Sequence, residues 1–230
     1  MSATTPFPRT YTAAFRGAPK GIRFLAASLV LLACYVAPRA AATVYTLAPG
    51  ADIAAAPSVY PVGGTLLGSE TIPFASGTLQ GTLTSSVYSG DASNPFSGGL
   101  TFTYLLHLNS TSSDSSSEFT VGGYAGFLTE ASYNQSGAEV APSNFLRSGN
   151  GSVIHSQWNT SPELPSGDTG ALVVIQSSAT AFGSNSGSVI DSTAVTVAIL
   201  SPTAVPEPGA ASLLAVGLGA LFTFRRRGSK

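Results

Sequence analysis

The residues that most often carry enzymatic chemistry are few in the central stretch of the chain, residues 43–204. This stretch contains two histidines, His107 and His155, many serines and no cysteine. A serine hydrolase needs a nucleophile with a base beside it, and the stretch contains no G-x-S-x-G motif. His107 lies on the more polar face of a predicted strand, and His155 alternates with Val153 and Gln157. The sequence therefore predicts that both are surface or interface residues and that the protein is not an enzyme.

Ten acidic residues are spread through the same stretch, and Arg147 is its one cation. Glycosidases need two carboxylates that face each other across a sugar, but these acids are scattered along the sequence. Calcium takes oxygen ligands from loops, and Asp91 with Asn94 and Asp114 with Glu118 are candidate pairs. Neither pair lies in a D-x-[DN]-x-[DN]-G loop. We expect no cofactor, with calcium as the alternative left open.

Trp158, the sole tryptophan, stands between Gln157 and Asn159. An aromatic ring with amide neighbours suits the face of a sugar, and a lone tryptophan is also a common core anchor. The sequence leaves both roles open for Trp158, a glycan contact and a core residue.

Basic residues other than Arg147 are confined to the two ends of the chain. The acidic middle has no basic patch, so we exclude nucleic acid as a partner. The one cysteine, Cys34, lies in the N-terminal region. A mature domain without that region has no disulfide and depends on burial and sheet pairing for its stability.

Residues 1–42 have the plan of a secretory signal peptide. Four cations and no acid precede an apolar run of 13 residues at 24–36. As a helix this run covers about 20 Å, short of the roughly 30 Å hydrocarbon core. Ala40 and Ala42 supply the small residues of an A-x-A cleavage site, so the mature chain is expected to begin near Thr43. Cys34 also loosely matches the lipidated cysteine of a lipoprotein signal, which stays open as an alternative.

Residues 204–230 form a three-part tail: a Pro-rich tetrapeptide at 205–208, an apolar run at 209–224 and a basic end at 225–230. The two prolines cannot continue a helix, so the tetrapeptide is expected to stay extended and accessible. The 16-residue run covers about 24 Å as a helix, nearly a full span. The arginines that follow it favour a cytoplasmic location for the C-terminal end of this helix. The tail therefore predicts a short transmembrane helix that holds the preceding domain outside the inner membrane.

The residues that carry this tail are Val205, Pro206, Glu207, Pro208, Arg225, Arg226 and Arg227. With the glycine-bearing apolar helix between them, they resemble the PEP-CTERM sorting signal of Gram-negative bacteria. The resemblance implies an exosortase, an integral-membrane cysteine transpeptidase, that recognises and processes the tail. It also implies association with exopolysaccharide and the biofilm matrix. It covers about 26 of 230 residues and implies nothing about the domain that the tail delivers.

Short alternating segments separated by turns must position the side chains of the middle domain. Apolar residues alternate at 100–108 and 194–199, and a continuous apolar run at 171–175 suits a central strand. Valine and threonine dominate where alanine, glutamate and lysine would dominate a helix. The pattern predicts an all-β domain at 43–203, an antiparallel β-sandwich or jelly roll. It is flanked by the signal helix and the transmembrane helix.

Two loops of this domain are also predicted from composition. The polar segment 109–118 is interpreted as a hairpin loop, and Gly183-Ser184-Asn185 is interpreted as a turn.

Two functions are compatible with these features. The first is an exported structural protein of the cell surface or biofilm matrix, tethered to the inner membrane until an exosortase processes its tail. The second is a carbohydrate-binding module delivered by the same route, with exopolysaccharide as the partner.

Overall fold

The structure of the chain, a computed structural model, describes residues 47–58, 62–158 and 163–204. The signal peptide with its Ala40–Ala42 cleavage site, Cys34, and the tail at 205–230 lie outside the described residues. Asn159, beside Trp158, lies outside them as well.

The described residues form eleven β-strands and no helix, which confirms the all-β prediction. The strands are β1 Asp52–Ala54, β2 Thr65–Ser76, β3 Leu79–Ser89, β4 Leu100–Leu108, β5 Glu118–Val121, β6 Thr129–Asn134, β7 Asn144–Arg147, β8 Ile154–Gln157, β9 Leu172–Ser177, β10 Phe182–Ile190 and β11 Ala194–Pro202.

The strands belong to two antiparallel sheets. One sheet has six strands in the order β1-β7-β8-β5-β10-β11, and the other has five in the order β2-β3-β4-β9-β6. The predicted strand at 100–108 is β4, and the apolar run at 171–175 falls largely on β9, between β4 and β6. Both strands are interior members of the five-stranded sheet, which explains their strong apolar signal.

Side chains from both sheets share one hydrophobic core. Phe102 and Tyr104 on β4 are fully buried, as is Phe119 on β5. The ring of Tyr104 lies 5.7 Å from that of Phe119, centroid to centroid. Burial of such large aromatic side chains supplies much of the stability of a domain without disulfides.

The segment 47–58, which includes β1, bonds both to β7 of the six-stranded sheet and to β6, an edge strand of the five-stranded sheet. The Leu47 amide donates to the Thr129 carbonyl on β6 at 2.7 Å, and the Arg147 amide on β7 donates to the Ala51 carbonyl at 2.8 Å. The segment then returns to β6, where the Ser58 amide donates to the Tyr133 carbonyl at 2.6 Å. The backbone groups on the outer edges of β6 and β7 are therefore used within the domain, which protects these edges from pairing with other chains.

Two loop predictions were wrong. Residues 109–117 are not a hairpin loop, because they join β4 of the five-stranded sheet to β5 of the six-stranded sheet. Gly183-Ser184-Asn185 is not a turn, because these residues pair with Ser201, Leu200 and Ile199 of β11. Pairing with an apolar neighbouring strand here outweighs the local turn preference of glycine, serine and asparagine.

Candidate functional site

The outer face of the six-stranded sheet carries the most connected group of polar side chains. Glu118 on β5 and His155 on β8 lie on neighbouring strands, and the carboxylate Oε1 is 2.6 Å from the imidazole Nδ1. Their side chains are 20% and 24% exposed, respectively. Their sequence neighbours Phe119, Ile154 and Ser156 point into the core. Strand alternation therefore places both on the outer face.

Three amide and carboxylate side chains extend this contact across four strands. The Gln157 amide donates to Glu118 Oε2 at 2.7 Å. Asn144 on β7 donates from its side-chain amide to Gln157 Oε1 at 2.7 Å and to Asp52 Oδ1 on β1 at 2.8 Å. We call Asp52, Asn144, Gln157, Glu118 and His155 the polar row. Mutual hydrogen bonds hold these side chains in fixed orientations, as in pre-organised polar surfaces.

No hydroxyl nucleophile in the described segments belongs to the polar row. Among the described residues, the side chain that contacts the His155 ring is the Glu118 carboxylate, and no serine or threonine hydroxyl joins it. The other histidine, His107 on β4, has its Nδ1 3.0 Å from the hydroxyl of Thr169, with no carboxylate beside the ring. Within the described ranges, each histidine contacts one element of a catalytic triad, His155 a carboxylate and His107 a hydroxyl.

Asp91, a candidate calcium ligand, anchors the β3–β4 loop. Its Oδ1 accepts the amide and hydroxyl of Ser93, and its Oδ2 accepts the hydroxyl of Thr101 at 2.9 Å and the amide of Gln176. Burial acts to raise the pKa of Asp91, but these hydrogen bonds outweigh burial and hold the pKa below its ordinary value. Asn94 turns its amide to the Leu100 carbonyl instead of joining Asp91. Asn94 also donates to the hydroxyl of Thr101, which in turn donates to Asp91. The two side chains therefore stabilise the loop together, through this shared threonine.

The side chains of the second candidate calcium pair, Asp114 and Glu118, bind different partners. Asp114 accepts hydrogen bonds from Thr78 and Ser192, whereas Glu118 belongs to the polar row. In the part of the chain that the structure describes, no three His, Cys, Asp or Glu side chains are grouped closely enough to hold a metal ion.

Trp158 is a core residue. It is 2% exposed, its indole N–H donates to the Val140 carbonyl at 3.1 Å, and its ring lies against Gly170. No ring face is available for a sugar, so the glycan-contact interpretation of Trp158 is not supported and the core interpretation describes its position. Tyr124, another aromatic residue in a glycine-rich segment, is fully buried as well.

Arg147 has a structural role that sequence reasoning missed. The side chain is 2% exposed, and all five guanidinium N–H groups are donated. The acceptors are the carbonyls of Gly151, Leu47, Tyr124 and Phe127 and the hydroxyl of Thr129, at 2.7–3.0 Å. The sequence signal was the isolated cation just before a Ser-Gly-Asn-Gly turn. Neutral oxygens, and not a carboxylate, surround it.

The sorting-tail residues cannot be placed beside these groups, because they lie outside the described residues. In the segments that the structure describes, no helix has the length and hydropathy needed to span a bilayer. Comparison with protein-family models, with curated proteins and with solved structures finds no significant match for this chain.

Acid should weaken the fold through Glu118. The hydrogen bond from His155 holds the pKa of Glu118 below its ordinary value of 4.5, against the opposing effect of burial. The ionised carboxylate therefore stabilises the fold above about pH 4.5, and this contribution is lost as the pH falls through the folded-state pKa. We expect Glu118→Gln to lower the free energy of unfolding by about 1 kcal/mol or less at pH 7 and by less than that near pH 3.

Urea denaturation at the two pH values measures this difference. Asp191→Asn, in the β10–β11 turn, is the control because it removes the same charge without touching the polar row. A Glu118→Gln defect of equal size at pH 7 and pH 3 would contradict the assigned role of the carboxylate.

Proposed function

We propose that this protein is an exported, non-enzymatic structural component of the bacterial cell surface or biofilm matrix, processed by an exosortase. The observation that carries the proposal is the sequence of the tail, in which three parts follow one another: Val205-Pro206-Glu207-Pro208, the apolar run at 209–224 and the arginines at 225–227. The inner membrane holds the precursor through this tail. Cleavage then releases the β-domain to the surface or the exopolysaccharide.

The position of the last strand supports this proposal. β11 ends at Pro202, three residues before Val205. A processing enzyme that acts at the tetrapeptide would therefore leave every strand of the domain intact. The prolines of the tetrapeptide favour an extended conformation, and an extended segment is a suitable protease substrate because it can enter a cleft without local unfolding.

The character of the β-domain also supports a structural role. We propose that the two sheets stack face to face as a sandwich of the jelly-roll type, with their shared core between them. Nearly all of the described acids lie in loops and at strand ends, and the one cation is buried. A domain with such a surface is expected to stay soluble in a hydrated polysaccharide, and its described residues offer no basic patch to nucleic acid.

The polar row favours a second candidate, a carbohydrate-binding module. Planar amide and carboxylate groups in fixed orientations on an outer sheet face suit sugar hydroxyls. This candidate now depends on the polar row and no longer on Trp158. A glycan array probed with the processed protein separates it from the first candidate, since a purely structural protein retains no glycan.

Replacing Arg225, Arg226 and Arg227 together by serine should weaken membrane retention and tail processing. Without cations after the apolar run, the short helix loses the charge that fixes its cytoplasmic end. We expect the precursor to leave the inner-membrane fraction, and the processed form to decrease severalfold. Cell fractionation with immunoblotting and mass analysis measures both effects.

The triple lysine variant is the matched control, because it keeps the three charges and should fractionate like the wild type. Unchanged fractionation and unchanged processed mass in the serine variant would contradict the sorting function of the tail.

A further inference from the structure

Both boundaries of the described domain lie at the same end of the two sheets. The Leu47 amide binds the Thr129 carbonyl, and Thr129 pairs with Ser177. The Thr203 amide binds the Ala181 carbonyl, four residues beyond Ser177. We call this the exit end; it includes the loops at 90–99, 122–128 and 178–181. The opposite end includes the loops at 109–117, 135–143 and 191–193.

The exit end is the end where the exposed leucines lie. Among the described residues the large exposed hydrophobic side chains are Leu66, Leu67 and Leu128, at 52%, 46% and 60% exposure. Leu128 exchanges hydrogen bonds with Ser178 in the β9–β10 loop. Leu66 pairs with Tyr88 near the end of β3. Gly68, the residue that follows Leu67, lies against Phe182 at the start of β10. The leucines therefore occupy the two edges of the five-stranded sheet at one end.

Acidic residues are concentrated at the opposite end, which we call the acidic end. Six of the ten acids lie there in loops or at strand ends: Asp114, Glu118, Glu139, Glu163, Asp168 and Asp191. Nearest to the exit end are Asp52, Asp91 and Glu130. Of these, Asp91 is buried and fully hydrogen-bonded within its loop. An anionic lipid surface therefore repels the end that carries these six acids more strongly than it repels the exit end.

The tail leaves little chain between the exit end and the membrane. Ala204 is the last described residue, and the apolar run begins at Gly209. Five extended residues reach at most about 18 Å. The nine residues of β4 alone cover about 30 Å. While the apolar run spans the bilayer, the exit end is therefore kept near the lipid surface and the acidic end is kept away from it.

We infer that the exit end is a bilayer-facing surface, with Leu66, Leu67 and Leu128 contacting the lipid interface and the acidic end pointing outward. This inference rests on the proposed function, because it requires the tail to be membrane-embedded. Isolated leucines at an interface contribute modestly each, but the short tether raises their effective concentration at the lipid surface. Cleavage of the tail removes the tether and so releases the surface.

A fluorescence-quenching experiment on the full-length chain tests this orientation. The protein carries Cys34→Ser and one reporter cysteine, either Ser97→Cys at the exit end or Ser113→Cys at the acidic end. Both serines are exposed. Bimane-labelled protein is reconstituted into phosphatidylethanolamine–phosphatidylglycerol vesicles that contain lipids with a nitroxide headgroup. We expect loss of most of the fluorescence at position 97 and little loss at position 113.

A second variant tests the leucines themselves. Replacing Leu66, Leu67 and Leu128 together by serine should reduce quenching at position 97 severalfold, while the protein stays in the vesicle fraction on flotation. Because the three side chains are exposed, the urea midpoint should be unchanged.

The outcomes separate this inference from the proposed function. If the chain does not float with the vesicles, the tail does not insert into the membrane, and both the proposed function and this inference are wrong. If it floats but positions 97 and 113 are quenched equally, the orientation alone is wrong. If it floats and the serine variant is quenched like the wild type, lipid contact by the leucines is wrong.

Discussion

Arg147→Met is expected to lower the free energy of unfolding of the processed protein by about 3–5 kcal/mol, because several buried hydrogen bonds from a charged donor, each contributing about 1.5–3 kcal/mol, are lost together and the site relaxes in part. The substitution removes five hydrogen bonds from a side chain that is 2% exposed. The Leu47 carbonyl keeps the Thr129 hydroxyl as a donor, and the Tyr124 carbonyl keeps the Phe127 amide. The carbonyls of Gly151 and Phe127 lose the guanidinium donor, and an unsatisfied buried polar group is costly. A domain with the usual total stability of about 5–15 kcal/mol would then be close to unfolding.

Geometry, and not charge alone, explains the expected effect. The acceptors of Arg147 come from the N-terminal segment, the β5–β6 loop, β6 and the β7–β8 turn, so the guanidinium joins both sheets. Arg147→Lys keeps the charge but has three donors on one nitrogen, which cannot reach acceptors spread around a planar fork. We expect it to recover less than half of the lost stability.

Urea denaturation followed by circular dichroism measures these changes. Thr196→Ala on the exposed face of β11 is the control, with an expected change within about 0.5 kcal/mol. An unchanged denaturation midpoint for Arg147→Met would show that the carbonyls rearrange at little cost, and would contradict the role assigned to this residue.

Trp158→Ala should destabilise the fold by a similar amount, about 3–5 kcal/mol, because it empties a large core volume. It also removes the hydrogen bond from the indole to the Val140 carbonyl. Trp158→Phe is the matched variant: it keeps most of the apolar volume and loses the N–H donor, so we expect a loss of about 1–2 kcal/mol.

Because Trp158 is the sole tryptophan, its fluorescence reports on the core directly. Emission of the native protein should be that of a buried indole and should shift to the red on unfolding. Glycan binding to the outer face should leave the emission unchanged. Wild-type stability of Trp158→Ala, or glycan-induced quenching of the indole, would contradict the core assignment.

The strands with the clearest sequence patterns were predicted for a physical reason. In β4, Leu100, Phe102, Tyr104 and Leu106 belong to the hydrophobic core, and the residues that alternate with them include Thr101 and Thr103, which are buried on the other side of the strand. β9 has a continuous apolar run because both of its sides are covered, with Val173 and Val174 both buried. Because buried positions require apolar residues, both patterns can be recognised in the sequence.

The features that sequence reasoning missed depend on distant partners. β10 begins with residues typical of a turn, and its pairing with β11 is a tertiary contact that no local pattern encodes. The acceptors of Arg147 include Leu47, 100 residues away in sequence. Likewise, the polar row consists of ordinary strand residues in sequence and becomes a row only when β1, β7, β8 and β5 align.

Intact-mass analysis of the surface or extracellular form tests the proposed function most directly, because one measurement reports both ends of the chain. We predict a polypeptide that begins near Thr43 and has lost the apolar run with its arginines, so that β1 to β11 remain. A full-length chain that is soluble inside the cell, with Met1 and Lys230 both present, would contradict export, tethering and processing together.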